Sequence, residues 1–182
     1  MGRRSSTVCT RRFVQRRQRR HRARGGAGAH EATRMQWVTR RHIRVNRTAT
    51  AWFISRFVDR KPHFIFAEPE DVAHIQQWTG AIGFDAPGAR YPHRDEADRC
   101  SFEAMVAAYR PRDAALAVMA RIVHGADFAD AIDRTPESAG LRAIARGFPL
   151  VAHHDDDTVE RAAFLYDALY AALSEQLARG SR

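Results

Sequence analysis

The sequence predicts an α+β domain that is predominantly α-helical, with about six helices and a few short strands, over residues 35–182. Apolar residues recur at spacings of three and four in several segments, as they do on one face of a helix. Asp, Pro and Gly stand where such segments would begin or end. The short run 63–66 is rich in aromatic and β-branched residues, which is typical of a buried strand. Helices therefore outnumber strands.

The first predicted helix covers residues 46–59, with apolar positions three and four apart and Asn46 as its N-cap. The predicted strand 63–66 follows it. Pro69 is expected to open a second helix in its first turn, and Gly80 is expected to close it.

Two further helices are predicted on either side of Pro111. The first begins at Ser101 and stops before that proline. Asp113 is predicted to cap the second, which would run to His124 and end at Gly125 in a left-handed conformation.

The last two helices are predicted from their start signals. Thr135 and the following proline would begin a helix that ends before Gly147. Asp157 with Glu160 three residues later forms an Asp version of the capping box, and the helix that it opens would reach about Arg179.

The positive charge of the chain, +9 in total, is confined to its first segment. Residues 1–34 carry eleven arginines and one acid, whereas residues 35–182 carry 19 basic and 20 acidic residues. Segment 1–34 has few large apolar residues, so we expect it to be disordered and to lie outside the domain. It is either a basic arm for nucleic acid or the product of a misassigned start, because Met35 directly precedes the first patterned segment; we favour the misassigned start.

The remaining composition indicates a cytoplasmic protein. Only Cys100 of the two cysteines lies in the domain, so no disulfide framework is available. No apolar run approaches the roughly 20 residues of a membrane-spanning helix, and no targeting segment is evident. We therefore expect no membrane partner, and nucleic acid only as a partner of segment 1–34.

Four residues of metal-ligating type stand near predicted helix ends in the domain. They are His93, Glu103, His124 and Asp127. A short link joins the two helices concerned, which favours antiparallel neighbours and brings these residues to one end. Two imidazoles and two carboxylates suit zinc, iron or manganese, so a divalent transition metal is the candidate cofactor. The alternative, which spacing alone favours, is that each residue caps or solvates its own turn.

Arginines crowd the start of the domain, and the candidate oxyanion-binding residues are Arg40, Arg47 and Arg56. Arginine forks match tetrahedral oxyanions, and a helix N-terminus near Arg47 would add backbone donors. An ordinary solvated face is the alternative. Cys100 and Asp167 are further candidates: the cysteine is either a redox thiol or, more commonly, a buried and inert one.

Six motifs in order resemble the C-terminal domain of ChrB-type chromate-resistance proteins. They are WVTRRHIRVNRTATAWFISRFVD at 37–59, GFDAPG at 83–88, YPHRDEADRCSFEAM at 91–105, RIVHGADF at 121–128, SAGLRAIARGF at 138–148 and YDALY at 166–170. The resemblance covers nearly all of residues 36–172.

The resemblance carries individual positions with it. These are Trp37, Arg40, Arg47, Trp52, Arg56, Phe57, Asp59, Phe84, Asp85, His93, Cys100, Phe102, Glu103, Asp127, Asp167 and Tyr170. Two positions depart from the family pattern: Asn46 replaces an aspartate, and Asp95 replaces a glycine.

The resemblance implies a role in chromate resistance. The first hypothesis is an oxyanion-sensing or accessory domain that binds chromate or a related oxyanion. The second is a metal- or thiol-dependent redox enzyme acting on chromate, and the third is a structural partner domain of a separate regulator or transporter. Neither the residues nor the resemblance separates these three, so enzymatic activity stays open.

Overall fold

The computed structural model describes residues 34–180. Apart from Arg34, the arginine-rich segment predicted at 1–34 lies outside these residues. No helix within the described range is long and apolar enough to cross a membrane.

A small parallel sheet forms one part of the domain. Its strands are β1 (Gln36–Arg40), β2 (His63–Ala67) and β3 (Ile82–Gly83), in the order β2-β1-β3. Both neighbours pair with β1 in parallel, with Trp37 opposite Phe64 on one side and opposite Ile82 on the other. The strand predicted at 63–66 is confirmed as β2. The central strand β1 was not predicted, because its buried run is only three residues long, between Gln36 and Arg40.

The first helix, α1 (Val45–Phe53), continues into a π-helical turn at Ile54–Val58. The helix was predicted, but its cap was wrong. Arg44 occupies the N-cap position without a side-chain hydrogen bond, and Asn46 lies inside the helix, almost fully buried. Tertiary hydrogen bonds, described below, hold the Asn46 amide there.

Helix α2 (Val72–Thr79) closes at Gly80 with φ +74°, as predicted. Pro69 does not open it, because residues 69–71 form a turn before the helix begins. Trp78 is 79% exposed, so it does not contribute to the core.

Helices α3 (Ser101–Tyr109) and α4 (Ala114–Asp127) pack against each other. The predicted cap is confirmed: the Asp113 carboxylate accepts a hydrogen bond of 3.0 Å from the Leu116 amide. The predicted stop at Gly125 is wrong, since α4 continues to Asp127. Gly125 instead allows close approach, because a Cβ there would stand 2.3 Å from the Ser138 hydroxyl oxygen.

A 3₁₀ helix (Ala129–Arg134) leads into α5 (Pro136–Val151), and α6 (Asp155–Gly180) follows. Two predicted boundaries are wrong. Helix α5 passes through Gly147 and Pro149 rather than ending before Gly147. Helix α6 begins at Asp155 rather than at the predicted Asp157 box, and the Asp155 carboxylate accepts hydrogen bonds of 2.9 Å from the amides of His42 and Ile43.

The main core surrounds α1, which packs against α3, α4, α5 and α6. Its largest buried side chains include Trp52, Phe53, Phe102, Met105 and Tyr166. Six α-helices and three short strands within residues 34–180 confirm the predicted α+β, predominantly helical class.

Candidate functional site

Asp85 lies at the centre of a buried charged network at the carboxyl edge of the sheet. It follows β3, and Arg40 ends the neighbouring parallel strand β1, so both residues emerge at the same edge. The Arg40 guanidinium donates to the Asp85 carbonyl at 2.6 Å and to its carboxylate at 3.0 Å. The Asp85 side chain is only 3% exposed, and its backbone adopts φ +51°, which is uncommon outside glycine. Several contacts from the surrounding structure therefore fix this carboxylate in one position despite its unfavourable backbone conformation.

Three more side chains contact the Asp85 carboxylate. The Asn46 amide donates to it at 2.9 Å, and His93 Nδ1 lies 2.6 Å from it. Arg47 Nε lies 3.5 Å away, an ion-pair contact without hydrogen-bond geometry, so this buried nitrogen has no hydrogen-bond partner. Burial lowers the pKa of Arg47, and the charge of Asp85 opposes that shift. The Asp85 carboxylate thus contacts two guanidinium groups and one imidazole ring.

Asn46 links this network to the start of α3. Its side-chain oxygen accepts hydrogen bonds from the Ser101 hydroxyl at 3.1 Å and the Phe102 amide at 3.2 Å. The aspartate of the family pattern would lack the amide that donates to Asp85 and would place a second negative charge beside it. The departure at this position therefore changes the charge of the network.

Asp127, at the end of α4, is the second carboxylate beside His93. The distance from His93 Nδ1 to Asp127 Oδ2 is 3.5 Å, and this buried oxygen has no hydrogen-bond partner. Burial, helped by repulsion from Asp85, raises the pKa of Asp127 to about 6. The hydrogen bond to Asp85 raises the pKa of His93, against the effect of partial burial. His93 therefore lies between two carboxyl groups and makes its hydrogen-bond contact with that of Asp85.

A second cluster joins the start of α3 to the last turns of α4. Its members, Cys100, Glu103 and His124, offer ligand atoms that lie within 4.8 Å of one another. His124 Nδ1 is 2.5 Å from Glu103 Oε2, and the same oxygen accepts a hydrogen bond from the Cys100 amide. Burial and the charge of Glu103 raise the pKa of the Cys100 thiol. This thiol is fully buried, as the inert alternative predicts.

The four predicted metal ligands thus fall into two pairs. The structure brings His93 to Asp127 and Glu103 to His124, and each pair gains a residue outside the predicted set, Asp85 and Cys100 respectively. The ring of Phe128 contacts both imidazoles, with centroid distances of 5.0 and 4.7 Å. Metal binding at these residues stays a prediction.

The three predicted oxyanion-binding arginines do not converge. Arg40 and Arg47 meet on Asp85, whereas Arg56 binds Asp167 with both Nε and Nη2, at 2.9 and 2.7 Å. The Trp52 indole also donates to Asp167, at 2.7 Å. Arg56 and Asp167 therefore tie α1 to α6 on a separate face.

Three other arginines line a cavity of about 250 Å³ beside Asp127. They are Arg44, Arg142 and Arg146. Arg142 donates to the carbonyls of Ala126 and Gly125, at 2.6 and 3.3 Å. Within residues 34–180, Arg44 and Arg146 have no acidic partner. Arg142 and Arg146 lie inside the motif 138–148. Their spacing of four is typical of one helix face, and no local pattern indicates that they lie near Arg44.

Fold and site together define a small α+β domain with a buried charged network between a parallel sheet and the ends of two helices. A sequence profile of the family described as ChrB, C-terminal domain, matches residues 37–173. The chain belongs to this family, which confirms the resemblance found in its motifs.

One relative shows how much of a longer protein the match covers. The chain is 35% identical over 142 residues to Protein ChrB of Cupriavidus metallidurans. The matched region is 76% of this chain and 41% of the relative, so the chain spans less than half of that protein's length. No solved structure gave a significant match.

Proposed function

We propose that this domain is an oxyanion-sensing or accessory domain in chromate resistance, and that it binds chromate or a related tetrahedral oxyanion. Its membership of the family of ChrB C-terminal domains supports the resistance role. The cavity beside Asp127 supports the ligand class. A volume of about 250 Å³ is below the roughly 300–1,000 Å³ of pockets for drug-sized ligands, and it suits a small ion.

The observation that carries the proposal is the unbalanced charge of this cavity. Three guanidiniums line it, and the acid among its lining residues is Asp127. The three positive charges exceed the single negative charge of Asp127 by two, and a doubly charged oxyanion would neutralise this excess. Guanidinium forks present paired N–H donors that match the oxygen spacing of such ions. The carbonyls of α4 fix one of these forks, Arg142, in place, which lowers the entropy cost of binding.

Arg40 and Arg47, the residues first predicted for this role, do not line the cavity. Both contact the Asp85 carboxylate, which offsets part of their charge, so they offer less to a ligand than Arg44 and Arg146. The same argument applies to Arg56 and its partner Asp167.

The thiol-dependent form of the enzyme hypothesis receives little support. The Cys100 thiol is fully buried and its pKa is raised, so it is neither exposed to chromate nor ionised at neutral pH.

The partner-domain hypothesis is favoured by one observation, the exposed apolar pair Leu150 and Val151 at the end of α5.

The test is calorimetric titration of chromate into the wild-type chain and into a variant with both Arg44→Gln and Arg146→Gln. We expect binding in the wild type and a loss of at least about 10-fold in the double variant, since each charge-assisted bond contributes roughly 1.5–3 kcal/mol. Arg121→Gln is the matched control, because Arg121 is also an exposed arginine without an acidic partner in the described range. Equal affinity in the double variant and the control would overturn the assignment.

A further inference from the structure

We propose that Cys100, Glu103 and His124 bind one zinc ion, which fastens the start of α3 to the end of α4. This proposal is independent of oxyanion binding. It assigns a structural metal to the second cluster and leaves His93 and Asp127 out of the ligand set.

The cluster offers three of the four ligands of a tetrahedral zinc site. The three ligand atoms lie within 4.8 Å of one another. Around a zinc ion with bonds of about 2.0–2.3 Å, such atoms stand roughly 3.3–3.8 Å apart. The ligands come from the start of α3 and the last turns of α4, which pack together, so side-chain movements would have to bring the three atoms to this spacing.

His124 and Glu103 already bring two of the three ligand atoms together. The His124 side chain is fully buried, and its Nδ1 lies 2.5 Å from Glu103 Oε2. An ion shared by these two residues would therefore bind His124 through Nδ1 and replace their direct contact. The buried Nε2 lies on the other side of the ring and takes no part in the proposed coordination.

The charges of the cluster suit a dication. A thiolate and a carboxylate together balance Zn²⁺, and the thiolate, imidazole and oxygen donors are those that zinc accepts. Cys100 is the N-cap of α3, and its sulfur accepts a hydrogen bond from the Glu103 amide. Burial and the charge of Glu103 keep this thiol protonated without the metal, so the metal would displace the thiol proton on binding.

The neighbouring group of Asp85, His93 and Asp127 has similar ligand spacing but a different charge environment. Arg40 and Arg47 both contact Asp85, and their positive charges would repel a cation. Within residues 34–180, no lysine or arginine forms an ion pair with Glu103. Of these two clusters in the described residues, the second therefore has suitable ligands and no arginine or lysine paired with its carboxylate.

Cobalt(II) provides a direct test, because a thiolate bound to it gives a charge-transfer band in the near ultraviolet. The experiment uses the full, reduced chain without a polyhistidine tag. It carries the single change Cys9→Ser, which leaves Cys100 as the one cysteine in the sequence. We expect the band to saturate at one cobalt per chain and to disappear with one equivalent of zinc. Absence of the band would overturn the proposal without requiring any change to the cluster itself.

Two variants then assign the ligands. Cys100→Ser is expected to abolish the cobalt band, and His124→Gln to weaken zinc binding by at least the 10–100-fold typical of disrupted zinc-site shells. His153→Gln is the matched control, because His153 is an exposed histidine outside the cluster. If zinc affinity is unchanged in His124→Gln but falls in His153→Gln, the zinc site lies elsewhere and the proposed ligand set is wrong.

Thermal unfolding of the Cys9→Ser chain gives a second readout that needs no further variant. At free zinc about 100-fold above its Kd, mass action predicts a rise in Tm of roughly 5–10 °C. An unchanged Tm at saturating zinc would contradict a structural metal.

Discussion

Asp127 shows how a single buried side chain makes the stability of this domain depend on pH. Its folded-state pKa of about 6 is higher than the ordinary value of 3.8, so the folded protein holds this proton more tightly than the unfolded chain does. The stabilisation is complete below about pH 4 and is lost as the pH rises through 6. The raised pKa of His93 acts in the same direction, with loss as the pH rises above the ordinary histidine value.

We therefore predict that Asp127→Asn stabilises the domain at about pH 8 by on the order of 2 kcal/mol, because the amide has no charge to desolvate. At about pH 4.5, where Asp127 is protonated, the gain should nearly vanish. Urea unfolding at both pH values measures the difference. Asp133→Asn, at an exposed position, should change neither value. A gain that is equal at the two pH values would contradict the charge argument.

The same residue affects the proposed ligand. Ionised Asp127 reduces the net positive charge of the cavity lined by Arg44, Arg142 and Arg146. We expect sulfate, which stays doubly charged over this range, to bind Asp127→Asn more tightly than the wild type at about pH 8, and the two proteins to differ little at about pH 4.5. Calorimetric titration measures this, and equal affinities at pH 8 would exclude Asp127 from the cavity's electrostatics.

At the level of elements, helix α4 depends on Gly125 for its contact with α5. A Cβ at this position would meet the Ser138 hydroxyl oxygen at 2.3 Å and the Ala131 carbonyl oxygen at 2.8 Å. The second of these atoms belongs to the backbone and has little freedom to move. The glycine therefore sets the distance between α4 and α5. Asp127 of α4 and two arginines of α5 line the cavity.

Gly125→Ala is predicted to destabilise the domain by about 1–3 kcal/mol, because overpacking outweighs the better helix propensity of alanine. Gly147→Ala in α5 is the control, since nothing lies within 4 Å of its added Cβ. That control should be neutral or more stable by about 0.4–1 kcal/mol. Chemical unfolding of both variants checks the prediction, which fails if the two changes have the same sign.

For the whole molecule, we predict that residues 35–182 alone are as stable as the full chain. The described strands of the sheet all lie after Met35. The Met35 carbonyl itself accepts a hydrogen bond from the His63 amide. Thermal unfolding of the two forms provides the comparison. A lower Tm on removal of residues 1–34 would show that the segment stabilises the domain, against the expectation from its composition.

The family, the fold class and several element boundaries were predictable from the amino-acid sequence. Asp113 and Gly80 were predictable because a cap and a left-handed stop depend on residues within one helical turn. The strand at 63–66 was evident because its apolar run is continuous. Family membership followed from six motifs in order, since such a match depends on the linear sequence alone.

The pairing of the charged residues, in contrast, depends on contacts between elements that are distant in the chain. Arg40 and Asp85 form a hydrogen bond because two parallel strands end at the same edge of the sheet. Arg44 lines the same cavity as Arg142 and Arg146 because α1 and α5 pack together. Asn46 and Gly125 were misread as a cap and a stop for the same reason. Each satisfies a contact with a residue far along the chain, and local pattern carries no information about such contacts.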